Sequence, residues 1–154
     1  MDAIALLKKD HREVKAMFEE AAQLGERAAA ARRKLFEKID EALKTHTHIE
    51  EAVFYPAFKA RAKREKAEEE RDEILEAYEE HHVVDRLMEV MEETDAKDES
   101  YKAKLQVLCE LVDHHVKEEE HTLFKMAKRL FSKEELEQLG AQMEAEKEEL
   151  EAGA

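Results

Sequence analysis

The sequence predicts an all-α protein: an antiparallel up-down-up-down four-helix bundle with a short C-terminal fifth helix. Three observations carry that expectation. The 154 residues include one Pro, three Gly and no Trp, too few turn formers for a chain of short strands. Glu, Lys, Ala and Leu, all good helix formers, are abundant. Apolar residues also recur at spacings of three and four, as in helices that bury one face. A chain of this length suits one domain with one hydrophobic core.

The elements follow in order. Helix one is expected from about Asp2 to Leu24, with Ile4, Leu7, Val14, Phe18 and Ala21 on one side and Gly25 closing it. Helix two runs from about Ala28 to Lys63, and its stripe reads Leu35, Ile39, Ala42, His46, Ile49, Val53. Pro56 lies inside it and should bend it or open one hydrogen bond, because proline removes a donor and crowds the preceding turn. Helix three begins near Ala67 and ends before the polar linker TDAKDES, residues 94–100. Helix four extends from about Tyr101 to Phe131. Ser132 followed by Glu135 then forms a capping box that opens an acidic helix ending near Leu150. Short connections between four long helices favour up-down order. The expected organisation is a bundle over residues 1–131, with residues 132–154 as a helix packed on it or extending from it.

Charge narrows the function. The 40 acidic and 26 basic residues give a formal net charge of −14, which disfavours nucleic acid and anionic membranes, since both reward clustered Lys and Arg. Runs such as EKAEEERDE (65–73) and MEAEKEELE (143–151) read as solvated faces. No apolar run approaches the roughly 20 residues that span a bilayer, and the N-terminus MDAIALLKKDH lacks a signal-peptide layout. Cys109 stands alone, between Leu108 and Leu111, as a small core residue would. A reduced cytoplasmic protein, monomeric or weakly self-associating, is the expectation.

The eight histidines then separate by face. His11, His46, His81 and His115 fall on the apolar rows, one from each long helix. His48, His82, His114 and His121 fall on polar sides. Two of the inward histidines carry a glutamate one turn later, His46 with Glu50 and His115 with Glu119. That spacing stacks both side chains on one face, about 5–6 Å apart. An ionised glutamate in a dry interior costs several kcal/mol unless it is paired or bound to metal, and no Lys or Arg shares the inward rows near these two. Metal ions would offset the cost and use the histidines as neutral ligands.

An internal repeat points the same way. KKDHREVKAMF (8–18) aligns with YEEHHVVDRLM (78–88), and HTHIEEAVFY (46–55) aligns with HVKEEEHTLF (115–124). His11 thus matches His81, His46 matches His115 and Glu50 matches Glu119. One helical hairpin used twice would build a site with approximate two-fold symmetry, offering each of two metals two imidazoles and bridging both with the carboxylates.

The ordered series DH(11), HTHIEE with His46 and Glu50, EEH(81), and HHVKEEE with His115 and Glu119 resembles the hemerythrin-like, or HHE cation-binding, family. The resemblance covers about residues 1 to 131. It implies two non-haem Fe ions inside the bundle, held by His11, His46, Glu50, His81, His115 and Glu119, with bridging carboxylates and an oxo or hydroxo bridge. Mn or Zn would also accept imidazole and carboxylate ligands. Family members bind dioxygen, sense oxygen, iron or nitric oxide, or handle peroxide. Oxygen-carrying hemerythrins have HxxxH on the third helix and HxxxxD on the fourth. Here Asp85 stands four residues after His81, and the fourth helix offers Glu119. That difference disfavours reversible oxygen carriage and favours small-molecule redox chemistry, including decomposition of hydrogen peroxide. Asp85 or a nearby Tyr is left open as a further ligand.

Three alternatives differ in kind: an iron, oxygen or nitric oxide sensor without turnover, a ferritin-like site, and a metal-free interaction bundle. Ferritin-like sites use Glu-x-x-His pairs. The pairs present, Glu79 with His82 and Glu118 with His121, lie off the apolar rows. A metal-free bundle leaves the inward glutamates unexplained.

Overall fold

The computed structural model describes residues 1–153, and among them it is all-helical. Helix α1 (Ala3–Ala22) starts at Asp2, whose carboxylate accepts the Ala5 N–H at 2.8 Å. Helix α2 (Ala29–Ile49) continues through a π turn (Glu50–Phe54) into α3 (Tyr55–Arg64) without a break. A tight link follows, in which Lys66 takes a left-handed φ of 56°, and α4 (Glu68–Glu92) returns along the bundle. Helix α5 (Tyr101–Glu118) likewise passes through a π turn (Glu119–Leu123) into α6 (Phe124–Leu130). Ser132 and Glu135 form the expected reciprocal capping box, and α7 (Lys133–Ala152) closes the described chain. The result is an antiparallel up-down-up-down bundle carrying an extra helix.

The two π turns correct the expectation attached to Pro56. In each, a backbone N–H reaches back five residues, from Tyr55 to the Glu50 carbonyl and from Phe124 to the Glu119 carbonyl. Pro56 itself lies in the first turn of α3. Its counterpart in the second copy is Lys125, yet the same π turn forms there. Proline therefore does not account for the irregularity. Each π turn inserts one residue into the helical phase, so the buried face after Ile49 continues as Phe54, Tyr55, Phe58 and Ala62, with Val53 only half-buried. Such turns concentrate at functional positions, where they re-aim side chains.

The core lies in two parts. Toward the π turns, Leu7, Ile49, Phe54, Phe58, Ile74, Phe124 and Ala127 form one cluster, joined by Leu136, Leu139 and Met143 of α7. Toward the other end, Phe18, Leu35, Phe36, Ile39, Met88, Met91, Tyr101 and Leu108 form a second. Between them lies a layer of buried polar side chains. Side chains also seal helix ends: Arg33 donates to the Met91 carbonyl at 3.0 Å and the Glu92 carbonyl at 3.2 Å, and Arg61 to the Leu130 carbonyl at 2.6 Å. These carbonyls lie in the last turn of their helices, where the regular helical donors run out. Helix α7 packs closely on the start of α1, and a Cβ on Gly140 would meet the Met1 carbonyl oxygen at 2.2 Å.

Candidate metal centre

The polar layer holds all six residues that the sequence singled out. His11 of α1, His46 of α2, His81 of α4 and His115 of α5 point inward, and each π turn begins with one glutamate, Glu50 or Glu119. All six are buried, and the two glutamates are at most 1% exposed. His48, His82, His114 and His121 are exposed, so the structure separates the two sets as helical phase does.

The six make two groups whose nitrogen and oxygen atoms converge, one of Glu50, His81, His115 and Glu119, the other of His11, His46 and Glu119. Glu119 belongs to both. Its Oε1 lies 3.0 Å from His11 Nε2, and its Oε2 lies 3.5 Å from His115 Nε2. Glu50 Oε1 lies 2.8 Å from His46 Nε2 and 3.4 Å from His81 Nε2. Each carboxylate thus reaches histidines of both hairpins. Despite this proximity, His11 Nε2, His46 Nε2, Glu119 Oε1 and both Glu50 oxygens are buried with no hydrogen-bond partner. Buried polar atoms are rarely left so, because each costs about 1–3 kcal/mol. The donor set is imidazole nitrogen and carboxylate oxygen facing a common centre, which fits a divalent transition metal at each group.

The outer side of each histidine is also built. Nδ1 of His11 donates to Glu120 at 2.6 Å and Nδ1 of His81 to Glu51 at 2.9 Å. Nδ1 of His46 donates to Asp10 at 3.0 Å and Nδ1 of His115 to Glu80 at 2.8 Å. Glu120 and Glu51 occupy equivalent positions in the repeat, as do Asp10 and Glu80, so the outer carboxylates obey the same pseudo-two-fold as the inner residues. An Nδ1–H held by a carboxylate fixes the ring and presents Nε2 as the inward lone pair, the arrangement that supports metal-bound histidine. Sequence reasoning did not assign these four residues a role. Their signal was adjacency: each directly precedes an inward histidine (Asp10, Glu80) or directly follows an inward glutamate (Glu51, Glu120).

Electrostatics reflect the crowding. Burial pulls the basicity of His46, His81 and His115 down, but the carboxylates more than reverse this. His81, beside Glu50 and Glu51, is raised to about 9. His115, beside Glu119 and Glu80, is raised to about 10, and Glu50 and Asp10 lift His46 well above its ordinary value. Burial opposes ionisation of Glu119, yet the closeness of the Glu50 carboxyl, the charge of His115 and the contact with His11 hold it well below the usual carboxylate range.

One inner residue breaks the symmetry. The Tyr55 hydroxyl donates to Glu119 Oε2 and lies 3.4 Å from His81 Nε2, and its ring stacks on His81 at 5.3 Å. Burial, then the nearby Glu119 and Glu50, push this phenol well above its ordinary value. Its counterpart is Phe124, which stacks on His11 at 5.9 Å and offers no hydroxyl. Of the two extra ligands left open by the sequence, Tyr55 reaches the centre, whereas Asp85 stays half-buried outside the converging groups.

Fold and site together define a helical bundle with a buried cluster of metal-binding character. The family model of the hemerythrin HHE cation binding domain matches residues 2–127, and the chain belongs to that family. It is also similar to the crystal structure of a hemerythrin HHE cation binding domain-containing protein from Mycobacterium kansasii. That likeness has a TM-score of 0.80 and 25% identity, covering 97% of this chain and 86% of the other. A DNA nickase of Nostoc sp. (strain PCC 7120) is 27% identical over 142 residues, which are 92% of this chain but 38% of the nickase. The chain therefore spans well under half of that relative. Among the described residues, no helix is long and apolar enough to cross a membrane.

Proposed function

We propose that His11, His46, Glu50, His81, His115 and Glu119 hold a pair of iron ions bridged by the two glutamates, and that the loaded centre takes up dioxygen, nitric oxide or peroxide and decomposes hydrogen peroxide. The observation that carries this reading is the set of buried inner atoms without partners on His11, His46, Glu50 and Glu119, with the outer nitrogens of His11 and His46 already held by carboxylates. Iron bound there would supply one-electron redox change and coordination positions for a small oxygen or nitrogen ligand. Iron is preferred to manganese or zinc by the family resemblance, since the ligands suit all three.

The chain's own residues set what can enter. Beside the cluster lies a cavity of about 20 Å³, walled by Val14, Leu43, Val84, Val112 and Val116 together with the histidines. That is room for about one water molecule. Diatomics and hydrogen peroxide fit this scale and organic substrates do not. The valines exclude bulk water, and the Tyr55 hydroxyl holds a proton at Glu119 Oε2. An acidic chain, at −14, argues against nucleic acid as a partner, so the nickase activity of the longer relative is not carried over.

The test joins metal quantification on freshly purified protein to absorption spectra before and after peroxide, and then nitric oxide. Bound iron with gas evolution from peroxide, both lost in His46→Ala and His115→Ala, supports the proposal. Protein that carries no transition metal and takes none up sinks it. A reversible spectral change without turnover selects the sensor reading.

A further inference from the structure

The family match ends at residue 127, so α7 lies outside it, yet α7 touches the centre's outer layer at one point. Lys147 Nζ donates to Asp10 Oδ1 at 3.2 Å, while Asp10 Oδ2 accepts from His46 Nδ1 at 3.0 Å. We infer that Lys147 is a positioning residue for His46, and that it makes one of the two metal positions depend on the docking of the C-terminal helix. The inference rests on the metal reading above.

Asp10 is 6% exposed and must accept a ring N–H while staying ionised. A buried carboxylate needs a cation or several donors to remain charged. The groups facing it are His46 and Lys147. The lysine holds the second oxygen of Asp10 while the first holds His46, so it fixes how the carboxylate is aimed, and Asp10 in turn fixes which His46 nitrogen faces inward.

The other hairpin shows what happens without such a helix. Glu80 is the counterpart of Asp10 and serves His115 in the same way. No lysine reaches it. Its side chain is 30% exposed, so water solvates its charge, with His114 Nε2 3.5 Å away. The two outer carboxylates thus solve one problem differently, one by solvent and one by α7.

Helix α7 is also held against α1 and α2 by other contacts. Glu146 accepts from His48 at 2.8 Å, and Gly140 sits against the backbone of Met1 to Ala3. A Cβ at Gly140 would lie 2.2 Å from the Met1 oxygen, so any side chain there must push α7 and the start of the chain apart. That gives a second way to move Lys147 without altering it.

The experiment is a titration of metal-free full-length protein with Co²⁺, followed by calorimetry and by the visible absorption of the bound ion. The unaltered protein should bind in two steps. Lys147→Met should weaken one step, by less than the roughly 10–100-fold that follows loss of a ligand's direct outer partner such as Asp10, leave the other in place, and change the spectrum of the weakened site only. Lys147→Arg should restore it, and Gly140→Ala should reproduce the single-step loss. Circular dichroism of the metal-free variants separates general unfolding from this effect. Two unchanged steps in Lys147→Met overturn the inference while leaving the metal reading intact, and so does equal weakening of both. Failure of the unaltered protein to bind Co²⁺ overturns the metal reading, and the inference falls with it.

Discussion

The two helical hairpins place the same inner residues in nearly the same relation and then surround them differently. In the first, His11 and His46 sit against Phe124 and the α7-backed Asp10; in the second, His81 and His115 sit against Tyr55 and the half-exposed Glu80. The repeat explains what is shared, down to a π turn that starts at each glutamate. Their difference shows that symmetry in the backbone does not impose equal chemistry on the two positions. One side has a hydroxyl aimed inward, and the other has an extra helix behind it.

The most severe way to break the comparison is through the shared carboxylates. Glu50 and Glu119 each approach histidines of both hairpins. Glu119→Ala and Glu50→Ala should therefore each empty both metal positions. Metal content after dialysis measures this. Loss of one metal with the other retained would show that the altered glutamate serves one position alone.

Next in size are the outer carboxylates. Asp10→Asn and Glu80→Gln should each cost about 10–100-fold in metal affinity, as loss of a histidine's outer partner does elsewhere. Asp10 should cost more, because no solvent replaces it. Equal losses would mean that burial of Asp10 adds nothing.

These four outer residues also mark how far the sequence could be read. The inward histidines and glutamates were legible because helical phase alone sorts faces, and the order of the two HxxxE segments was informative. Asp10, Glu51, Glu80 and Glu120 were not, since a carboxylate one residue from a ligand looks like the edge of a solvated face. The π turns were hidden for a related reason. Nothing at Glu50–Phe54 and Glu119–Leu123 distinguishes a five-residue turn from an α turn, and the one visible breaker, Pro56, occurs in a single copy. Row counting with an α period consequently placed Val53 inward, where Phe54 and Tyr55 are the fully buried residues. The Lys147–Asp10 contact joins residues at opposite ends of the chain, a distance over which spacing carries no signal.

A subtler change makes the hairpins alike. Tyr55→Phe removes the one inward hydroxyl and leaves Glu119 without that donor. A hydrogen bond to a charged group contributes about 1.5–3 kcal/mol, so metal-free Tyr55→Phe should lose about that much unfolding free energy, read as a lower denaturant midpoint. Phe124→Tyr in the same background tests whether the second pocket can host the hydroxyl instead. If Tyr55→Phe leaves both stability and the spectrum of the loaded centre unchanged, the tyrosine is packing alone.

The smallest effect concerns how α7 is pinned to one hairpin. Arg61 of α3 pairs with Glu135 in the first turn of α7, and this pairing, with the Ser132 N–H, holds the Glu135 carboxyl at about 2 rather than its ordinary 4.5. A lowered folded-state value means that the carboxylate stabilises the folded protein above the ordinary value. That contribution disappears as pH falls through the interval from about 4.5 to about 2. Because the pair lies at the surface and is only part-buried, salt and water screen it, and Glu135→Gln should shift the acid limb of the unfolding curve only slightly, flattening it within that interval and leaving neutral pH little changed. The informative comparison is with metal binding. If Glu135→Gln also weakens a single Co²⁺ step, anchoring of α7 at its first turn is transmitted to Lys147 near its far end. If both steps are untouched, the contacts at Gly140 and Glu146 hold the helix over Asp10 without help from Arg61.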